Sequence, residues 1–194
     1  KNLKGVVDAT LRELEASGIT PFANGYKEWW VYKHMFQHFM AGDTDDTEKL
    51  AHDFIAGTTT FADHPTLMNF FDFIDLTVKY GLPKPLESDF NAQVSSFATG
   101  KAAIITGQGQ WIESGVTKID PDFDFGVMLY PVSDDPAQAN VCAGAGMTLR
   151  VNKDSKVKDE AVALLNWLYT SDYGKNWFGN VAKVVSPVID APSP

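Results

Sequence analysis

The residues best suited to ligand binding form a glycine-rich loop that ends in an aromatic side chain. Gly107 and Gly109 follow a short apolar run, and Gln110 and Trp111 come directly after them. Glycine permits sharp turns and a close approach between backbone and ligand. The indole of Trp111 adds a flat apolar face, worth about 0.5–1.5 kcal/mol beyond area burial when it meets another ring. A sugar, with an apolar ring face and many hydroxyl groups, suits this loop, which contains no obvious nucleophile or metal ligand.

Two adjacent tryptophans, Trp29 and Trp30, are a second candidate for ligand contact. A helix cannot bury both rings on one face, because neighbouring positions point in different directions. One ring is therefore expected to pack inward and the other to face a loop or a cleft, and the sequence does not decide which. Asn24, in the turn just before, adds an amide group for ligand hydroxyls.

A third candidate loop has the sequence Cys142-Ala143-Gly144-Ala145-Gly146. It lacks the glycine spacing of dinucleotide-binding and triphosphate-binding loops, which argues against a nucleotide site. Two interpretations stay open. The backbone amides of Ala143 and Gly144 reach ligand hydroxyls, or the small residues pack tightly at the entry to a strand.

Other residues have side chains that would suit catalysis or metal binding. A glycoside hydrolase needs two carboxylates at the scissile bond. The candidate pair is Glu28 and Glu113, each close to a tryptophan, but nothing in their flanking sequence is diagnostic. His34 and His38 lie four residues apart, as on one helix face, but two ligands do not make a metal site. The Asp-Thr-Asp-Asp sequence at 43–46 lacks the glycine and glutamate of a calcium loop and is expected to cap the next helix. We therefore predict no catalytic residue, no metal and no cofactor.

The composition excludes several classes of protein. The chain has 194 residues, of which 44% are hydrophobic, enough for one sizeable core or two small ones. It carries 16 Lys+Arg against 25 Asp+Glu, a net charge of -9. This charge repels phosphate backbones, so a nucleic acid partner is not expected. The single cysteine excludes an internal disulfide.

Helical and strand patterns alternate along the chain, which indicates an α/β fold. The predicted helices cover residues 6–14, 28–41, 47–55, 65–78, 90–97, 111–116, 161–168 and 173–178. The predicted strands cover residues 19–23, 102–106, 123–130 and 147–149. Predicted helix caps are Asp63, Ser171, either Ser88 or Asp89, and either Asp154 or Ser155. Apolar faces are predicted at Leu67, Phe70, Phe71, Ile74 and Val78, and at Ala161, Leu164, Leu165 and Leu168.

Several of these segments occur in an order that resembles the extracellular solute-binding proteins of bacterial ABC importers, in their sugar-binding branch. Residues 11–22, which end in Gly-Ile-Thr-Pro-Phe, are similar to a helix and strand of that family, and a tryptophan-containing helix follows. Residues 97–104 are similar to its Phe-x-x-Gly-Lys-Ala-Ala motif, and residues 109–111 to its Gly-x-Trp loop. Residues 155–168 resemble its late Ser-Lys…Glu-Ala helix. Each motif alone is weak, but their order and spacing make the resemblance specific.

The resemblance implies a periplasmic-binding-protein-like (type II) architecture, in which a hinge joins two α/β lobes and the ligand binds in the cleft between them. Residues 1–133 are then expected to form the second, C-terminal lobe. Residues 134–140 would be the hinge crossover, and residues 141–194 a segment that completes the first lobe. The architecture is expected to be incomplete, because the start of the first lobe and the last helices of the second have no counterpart here.

The resemblance also implies non-catalytic capture of a mono- or oligosaccharide, outside the cytoplasm, for delivery to the membrane permease of an ABC importer. The full-length protein is expected to carry a lipid anchor. Predicted ligand contacts are Trp111, Gln110, Gly109, Trp29, Trp30, Asn24, Gly144 and Ala143. The alternatives are a glycoside hydrolase and a protein-interaction module. The apolar helices of residues 161–178 predict self-association of this chain, or else folding back onto residues 1–133.

Overall fold

The computed structural model describes residues 3–139, 148–186, 188 and 190–192. The chain divides into two compact units, Lys1–Ala143 and Gly144–Pro194. Within the described ranges, no helix has the length and apolar character needed to cross a membrane.

Helices surround a small sheet in the first unit. The strands are β1 (Thr20–Ala23) and β2 (Ala102–Ile105). The helices are α1 (Leu3–Ala16), α2 (Trp29–Asp43), α3 (Thr47–Ala56), α4 (Pro65–Lys79), α5 (Phe90–Ala98) and α6 (Ile112–Thr117). Short 3-10 turns lie at Phe61–Asp63 and Pro136–Gln138. The predicted mixture of helices and strands is confirmed, while the two-lobe architecture stays a prediction.

The two strands of the sheet are parallel. Phe22 pairs with Ile104, and Ala23 pairs with Ile105. An isolated parallel bridge also joins Phe22 to Gly81, at the end of α4. Because neighbouring parallel strands run in the same direction, β1 and β2 end at the same edge of the sheet.

Two apolar cores lie on opposite faces of this sheet. Successive strand residues point to opposite faces, and Phe22 belongs to one core whereas Ala23 belongs to the other. The first core consists mainly of residues from α2 and α4, among them Val31, Met35, Phe39, Leu67, Phe70 and Phe73. The second core consists of residues from α5, β2 and α6, namely Val94, Phe97, Ala98, Ala102, Ile112 and Val116. Burial of one such large apolar side chain contributes about 1.5–3 kcal/mol to the stability of the fold. Because β1 contributes residues to both cores, the two cores hold the end of this strand in place.

Side-chain caps determine where two of the helices begin. Asp46 accepts a hydrogen bond from the backbone nitrogen of Lys49 at 2.9 Å, at the start of α3. Asp89 accepts one from the backbone nitrogen of Ala92 at 3.0 Å, at the start of α5. Each carboxylate satisfies a donor that the first helical turn leaves open. The predicted capping role of the 43–46 loop is thereby confirmed. Of the two predicted alternatives Ser88 and Asp89, Asp89 is the cap.

The prediction that Asp63 caps α4 is wrong. Its carboxylate accepts a hydrogen bond from the backbone nitrogen of Thr60 at 2.9 Å and closes the 3-10 turn before the helix. This reciprocal Thr60–Asp63 pairing is a capping box. Since the box engages Asp63 within the turn, His64 is the residue that precedes α4.

The predicted strand over residues 123–130 is not formed. Phe123 and Phe125 pack on Phe97, with ring centroids 5.2 and 5.8 Å apart. Val127 is 90% exposed. A strand requires a ladder to a neighbouring strand, and β1 is the partner that β2 has in the described part of the chain. The packing of these two rings therefore holds the first part of this segment.

The regular secondary structure described in the second unit is helical. It contains α7 (Lys158–Thr170), α8 (Asp172–Asn176) and a π-helical turn (Trp177–Val181). The hydroxyl of Ser171 accepts a hydrogen bond from the backbone nitrogen of Gly174 at 3.1 Å, which confirms Ser171 as the cap of α8. Helix α7, which is described in full, has no buried residue, so the apolar side predicted for it does not form a core.

Two predictions for the start of this unit are wrong. Neither Asp154 nor Ser155 caps α7, because the helix begins after Val157. The hydroxyl of Ser155 instead accepts a hydrogen bond from the backbone nitrogen of Val157 at 3.3 Å, within its own turn. Residues 148–149 of the predicted strand are not in a strand, and Met147 lies outside the described residues.

Candidate ligand-binding site

The loops that follow the two strands meet at one edge of the sheet. β1 leads into residues 24–26, and β2 leads into residues 106–111. In open α/β sheets, ligands bind in the crevice beyond the carboxyl ends of the strands. This edge is therefore the candidate site, and it contains the predicted contacts Asn24, Gly109, Gln110 and Trp111.

Asn24 forms the buried floor of this edge. Its Nδ2 donates to the carbonyl oxygen of Thr77 at 2.5 Å, whereas its Oδ1 is buried without a hydrogen-bond partner among the described residues. The phenol of Tyr26 is hydrogen-bonded to the hydroxyl of Thr77. Burial raises the pKa of Tyr26 to about 12, so this phenol stays neutral at physiological pH. A buried acceptor without a partner is uncommon, and because Asn24 is fully buried its Oδ1 has no exposed surface for a ligand.

Gly107 anchors the second loop to α2. Its φ angle is +72°, and a Cβ at this position would lie 2.5 Å from both Cγ1 and the carbonyl oxygen of Val31. Its N–H donates to the hydroxyl of Tyr130 at 2.7 Å. Burial raises the pKa of Tyr130 to about 12. The Gly107 amide is thus engaged within the protein, and the less buried part of the loop is residues 108–111.

Trp111 is half-buried at the end of this loop and is fixed in several directions. Its Nε1 donates to Oε1 of Gln108 at 2.9 Å. Its ring lies against Gly109, where a Cβ would stand 2.4 Å from Cζ3. The ring centroid is 6.1 Å from that of Trp30 and 5.6 Å from that of His34. The indole is therefore positioned before any ligand arrives, which lowers the entropic cost of binding.

The two adjacent tryptophans have different environments, as the geometry of a helix requires. Trp30 is half-buried and packs on Phe90, with ring centroids 5.7 Å apart, as well as on Trp111. Trp29 is 64% exposed. Trp30 thus belongs to the aromatic cluster beside the second loop, and Trp29 faces solvent at the start of α2.

Sequence reasoning missed two glutamines that support the site. Gln93 is fully buried, and its Nε2 donates to the carbonyl oxygens of Ala23 and Thr106 at 2.9 and 3.0 Å. Its Oε1 accepts from Nε2 of Gln108 at 2.8 Å. A signal for Gln93 was present, because it occupies an inward position of α5 beside Val94, where polar residues are rare.

Neither glycoside hydrolysis nor metal binding gains support from the geometry. Glu28 precedes α2, and Glu113 lies in the first turn of α6; both are half-buried. Nδ1 of His34 lies 3.2 Å from Oε1 of Gln37, and the ring of His38 packs on that of Tyr130 at 4.7 Å. Within the ranges that the structure describes, no three His, Cys, Asp or Glu side chains could hold a metal together.

The predicted contacts Ala143 and Gly144 lie outside the described residues, so their role stays a prediction. Gln110 is exposed at the tip of the second loop. Of the described contacts, Asn24, Gly109, Gln110 and Trp111 lie in the two loops at the carboxyl edge, and Trp30 joins them through its packing on Trp111.

The family model of bacterial extracellular solute-binding proteins matches residues 7–175, which is most of the chain. The chain belongs to this family. No curated protein and no solved structure gives a significant match. A solute-binding protein captures a ligand outside the cytoplasm for transport, with an ABC permease as its general partner. Proteins of this family are in general non-catalytic.

Proposed function

We propose that this solute-binding protein captures a carbohydrate, either a mono- or an oligosaccharide, at the carboxyl edge of β1 and β2. In this proposal the indole of Trp111 stacks on a sugar ring, and polar groups of the two loops bond its hydroxyls. The solute passes to the ABC permease without chemical change.

The observation that carries the proposal is the fixed, half-buried indole of Trp111 at the sheet edge where α/β proteins bind ligands. An aromatic ring that is already oriented can stack on the apolar face of a pyranose without losing further rotamer freedom. Asn24, whose side chain is fully buried behind this edge, is a further proposed contact. The other proposed contacts are Gln110, one of Trp29 and Trp30, Ala143 and Gly144.

The proposal also covers the arrangement of the lobes, the attachment to the membrane and the pairing of two copies. Residues 1–133 would form one wall of the cleft as the second lobe, residues 134–140 the hinge, and residues 141–194 a segment of the first lobe. A lipid anchor on the full-length protein would hold it at the membrane near its permease. The exposed apolar side chains of α7, such as Leu164 at 62%, are proposed to pair with those of a second copy.

Titration calorimetry of the chain against a panel of mono- and oligosaccharides tests this function. Trp111→Ala should weaken binding by roughly 1–3 kcal/mol, as for a central aromatic anchor, with little change in Tm. Phe71→Ala, which truncates a 44% exposed ring on α4, is the control and should leave affinity unchanged. A large fall in Tm with unchanged affinity would make Trp111 a core residue. Release of reducing ends that is lost in Glu28→Gln or Glu113→Gln would instead indicate a hydrolase.

A further inference from the structure

A chain of side-chain amides joins the two strand ends to the indole of Trp111. Gln93 lies at its centre, because its Nε2 reaches the carbonyl oxygens of Ala23 and Thr106 at 2.9 and 3.0 Å. These two residues are the last of β1 and the first after β2. Gln108 then connects Oε1 of Gln93 to Nε1 of Trp111, with hydrogen bonds of 2.8 and 2.9 Å.

The direction of every bond in this chain is determined. A backbone carbonyl can only accept, so Gln93 must present both N–H groups to the strands and its oxygen to Gln108. Gln108 must then donate to that oxygen, which leaves its own Oε1 facing Trp111. The indole N–H can only donate, and it meets that acceptor. No amide in the chain can be reversed without leaving buried polar groups unpaired, which costs about 1–3 kcal/mol for each group.

Gln93 is held by close packing as well as by hydrogen bonds. A Cβ on Gly25 would lie 2.8 Å from its Oε1 and 2.9 Å from its Cβ, so the loop after β1 rests directly on this side chain. Gln93 is fully buried and begins from the apolar side of α5. It therefore contacts both loops of the candidate site, although it is not itself exposed to a ligand.

We propose that Gln93 is a positioning residue that sets the orientation of the Trp111 ring through Gln108. The inference rests on the proposed function, in which that ring stacks on a sugar. Through Gln108, Gln93 links the indole to the ends of the two paired strands. Loss of the amide chain leaves the ring held only by packing against Gly109, Trp30 and His34 and allows it to tilt away from the stacking orientation.

The test compares Gln93→Met and Gln108→Met, alone and together, with the unaltered chain. Methionine retains the length of glutamine but forms none of these bonds. The chain contains 5 tryptophans, so proton–nitrogen NMR resolves their indole N–H signals, and Trp111→Phe assigns the relevant one. Asn69→Leu is the control, because it removes another side-chain amide bond to a backbone carbonyl, that of Val132 at 2.9 Å.

Both glutamine variants should move the Trp111 indole signal and accelerate its hydrogen exchange, while Asn69→Leu should do neither. Carbohydrate affinity should fall about tenfold in each single variant, and the double variant should be no weaker, because either substitution already removes the bond between Gln93 and Gln108. Additive losses, or a Trp111 signal that stays in place in folded Gln93→Met, would overturn the inference. If Gln93→Met does not fold, Gln108→Met tests the same link, because it alters a half-buried side chain. A moved signal in a chain that binds no carbohydrate would uphold the positioning role and refute the proposed function.

Discussion

Gly109 lies directly against the six-membered ring of Trp111. A Cβ built on this glycine would stand 2.4 Å from Cζ3 and 2.8 Å from Cη2 of the indole, closer than real Cβ contacts come. The ring is rigid, so it cannot yield at one end as a long aliphatic chain does. Any side chain at residue 109 must therefore turn the whole indole and strain its bond to Gln108.

Gly109→Ala should consequently weaken carbohydrate binding by about tenfold, with a smaller effect on Tm than a core substitution has. Gly126→Ala is the matched control, because a Cβ there meets nothing within 4 Å. Calorimetry measures the affinity, and near-ultraviolet circular dichroism reports the ring orientation. Equal affinities for the two variants would show that the orientation of Trp111 does not matter for binding.

Gly107→Ala should destabilise the fold more than Gly100→Ala does. Both glycines have φ near +70°, so both substitutions carry the cost of a left-handed backbone, about 1–2 kcal/mol. At Gly107 the new Cβ would also lie 2.5 Å from Val31, whereas at Gly100 it meets nothing within 4 Å. Overpacking should add about 1–3 kcal/mol at Gly107. Urea unfolding measures both, and equal losses would contradict the tight contact with α2.

Asp8 should stabilise the folded chain in a pH-dependent way. Hydrogen bonds from Tyr80 at 2.8 Å and Lys79 at 3.1 Å, with Arg12 close by, lower the pKa of Asp8 to about 2. The unfolded value is about 3.9, so the ionised group favours the folded state. Its contribution is complete above the unfolded pKa and is lost as the pH falls through the folded pKa of about 2.

The deficit in stability of Asp8→Asn should therefore be largest near neutral pH and shrink as the pH falls from about 4 towards 2. Asp124→Asn, at an exposed position, is the control. Urea unfolding at a series of pH values gives the free energy of unfolding for each protein. A deficit that is constant across this range would mean that the charge of Asp8 is not what stabilises the contact between α1 and α4.

The sequence predicted those helices whose caps and buried side chains can be recognised within the helix segment itself. The α5 helix is an example, since Asp89 supplies its cap and Val94 and Phe97 form its buried side. The 65–79 helix shows the limit. Its apolar residues surround the helix, so the pattern does not select a face, and the predicted Phe71 and Val78 are exposed whereas Phe73 is buried. The prediction of a strand over residues 123–130 was wrong for another reason. A strand forms only with a partner strand, which lies elsewhere in the sequence.

Part of the candidate site could likewise be predicted from the sequence, and part could not. Gly109 and Trp111 could be found from the sequence because glycines and an aromatic residue stand together in one loop. The Gln93–Gln108 link could not, since it joins side chains that only the tertiary fold brings together. The sequence did offer one indication of this link. Gln93 lies on the buried side of its helix, and a buried amide is almost always hydrogen-bonded.

Exposed apolar side chains on the second unit predict self-association of the chain. Leu164 is 62% exposed, Trp167 48% and Tyr173 66%, and the rings of Trp167 and Tyr173 stack with centroids 5.6 Å apart. Each Å² of apolar area left in water forgoes about 25 cal/mol, so a second copy that covers this surface gains free energy.

Light scattering at micromolar concentration should accordingly show dimers or larger species of the unaltered chain. Leu164→Glu should shift the population to monomers, because pairing would bury its charge without a partner. Leu86→Glu, which charges a 75% exposed leucine of the first unit, should leave the assembly unchanged. Hydrogen exchange adds a second measurement, since pairing protects the amides of α7 in a concentration-dependent manner. A monomer whose α7 amides are protected equally at all concentrations would refute pairing, because the cover would then come from within the same chain.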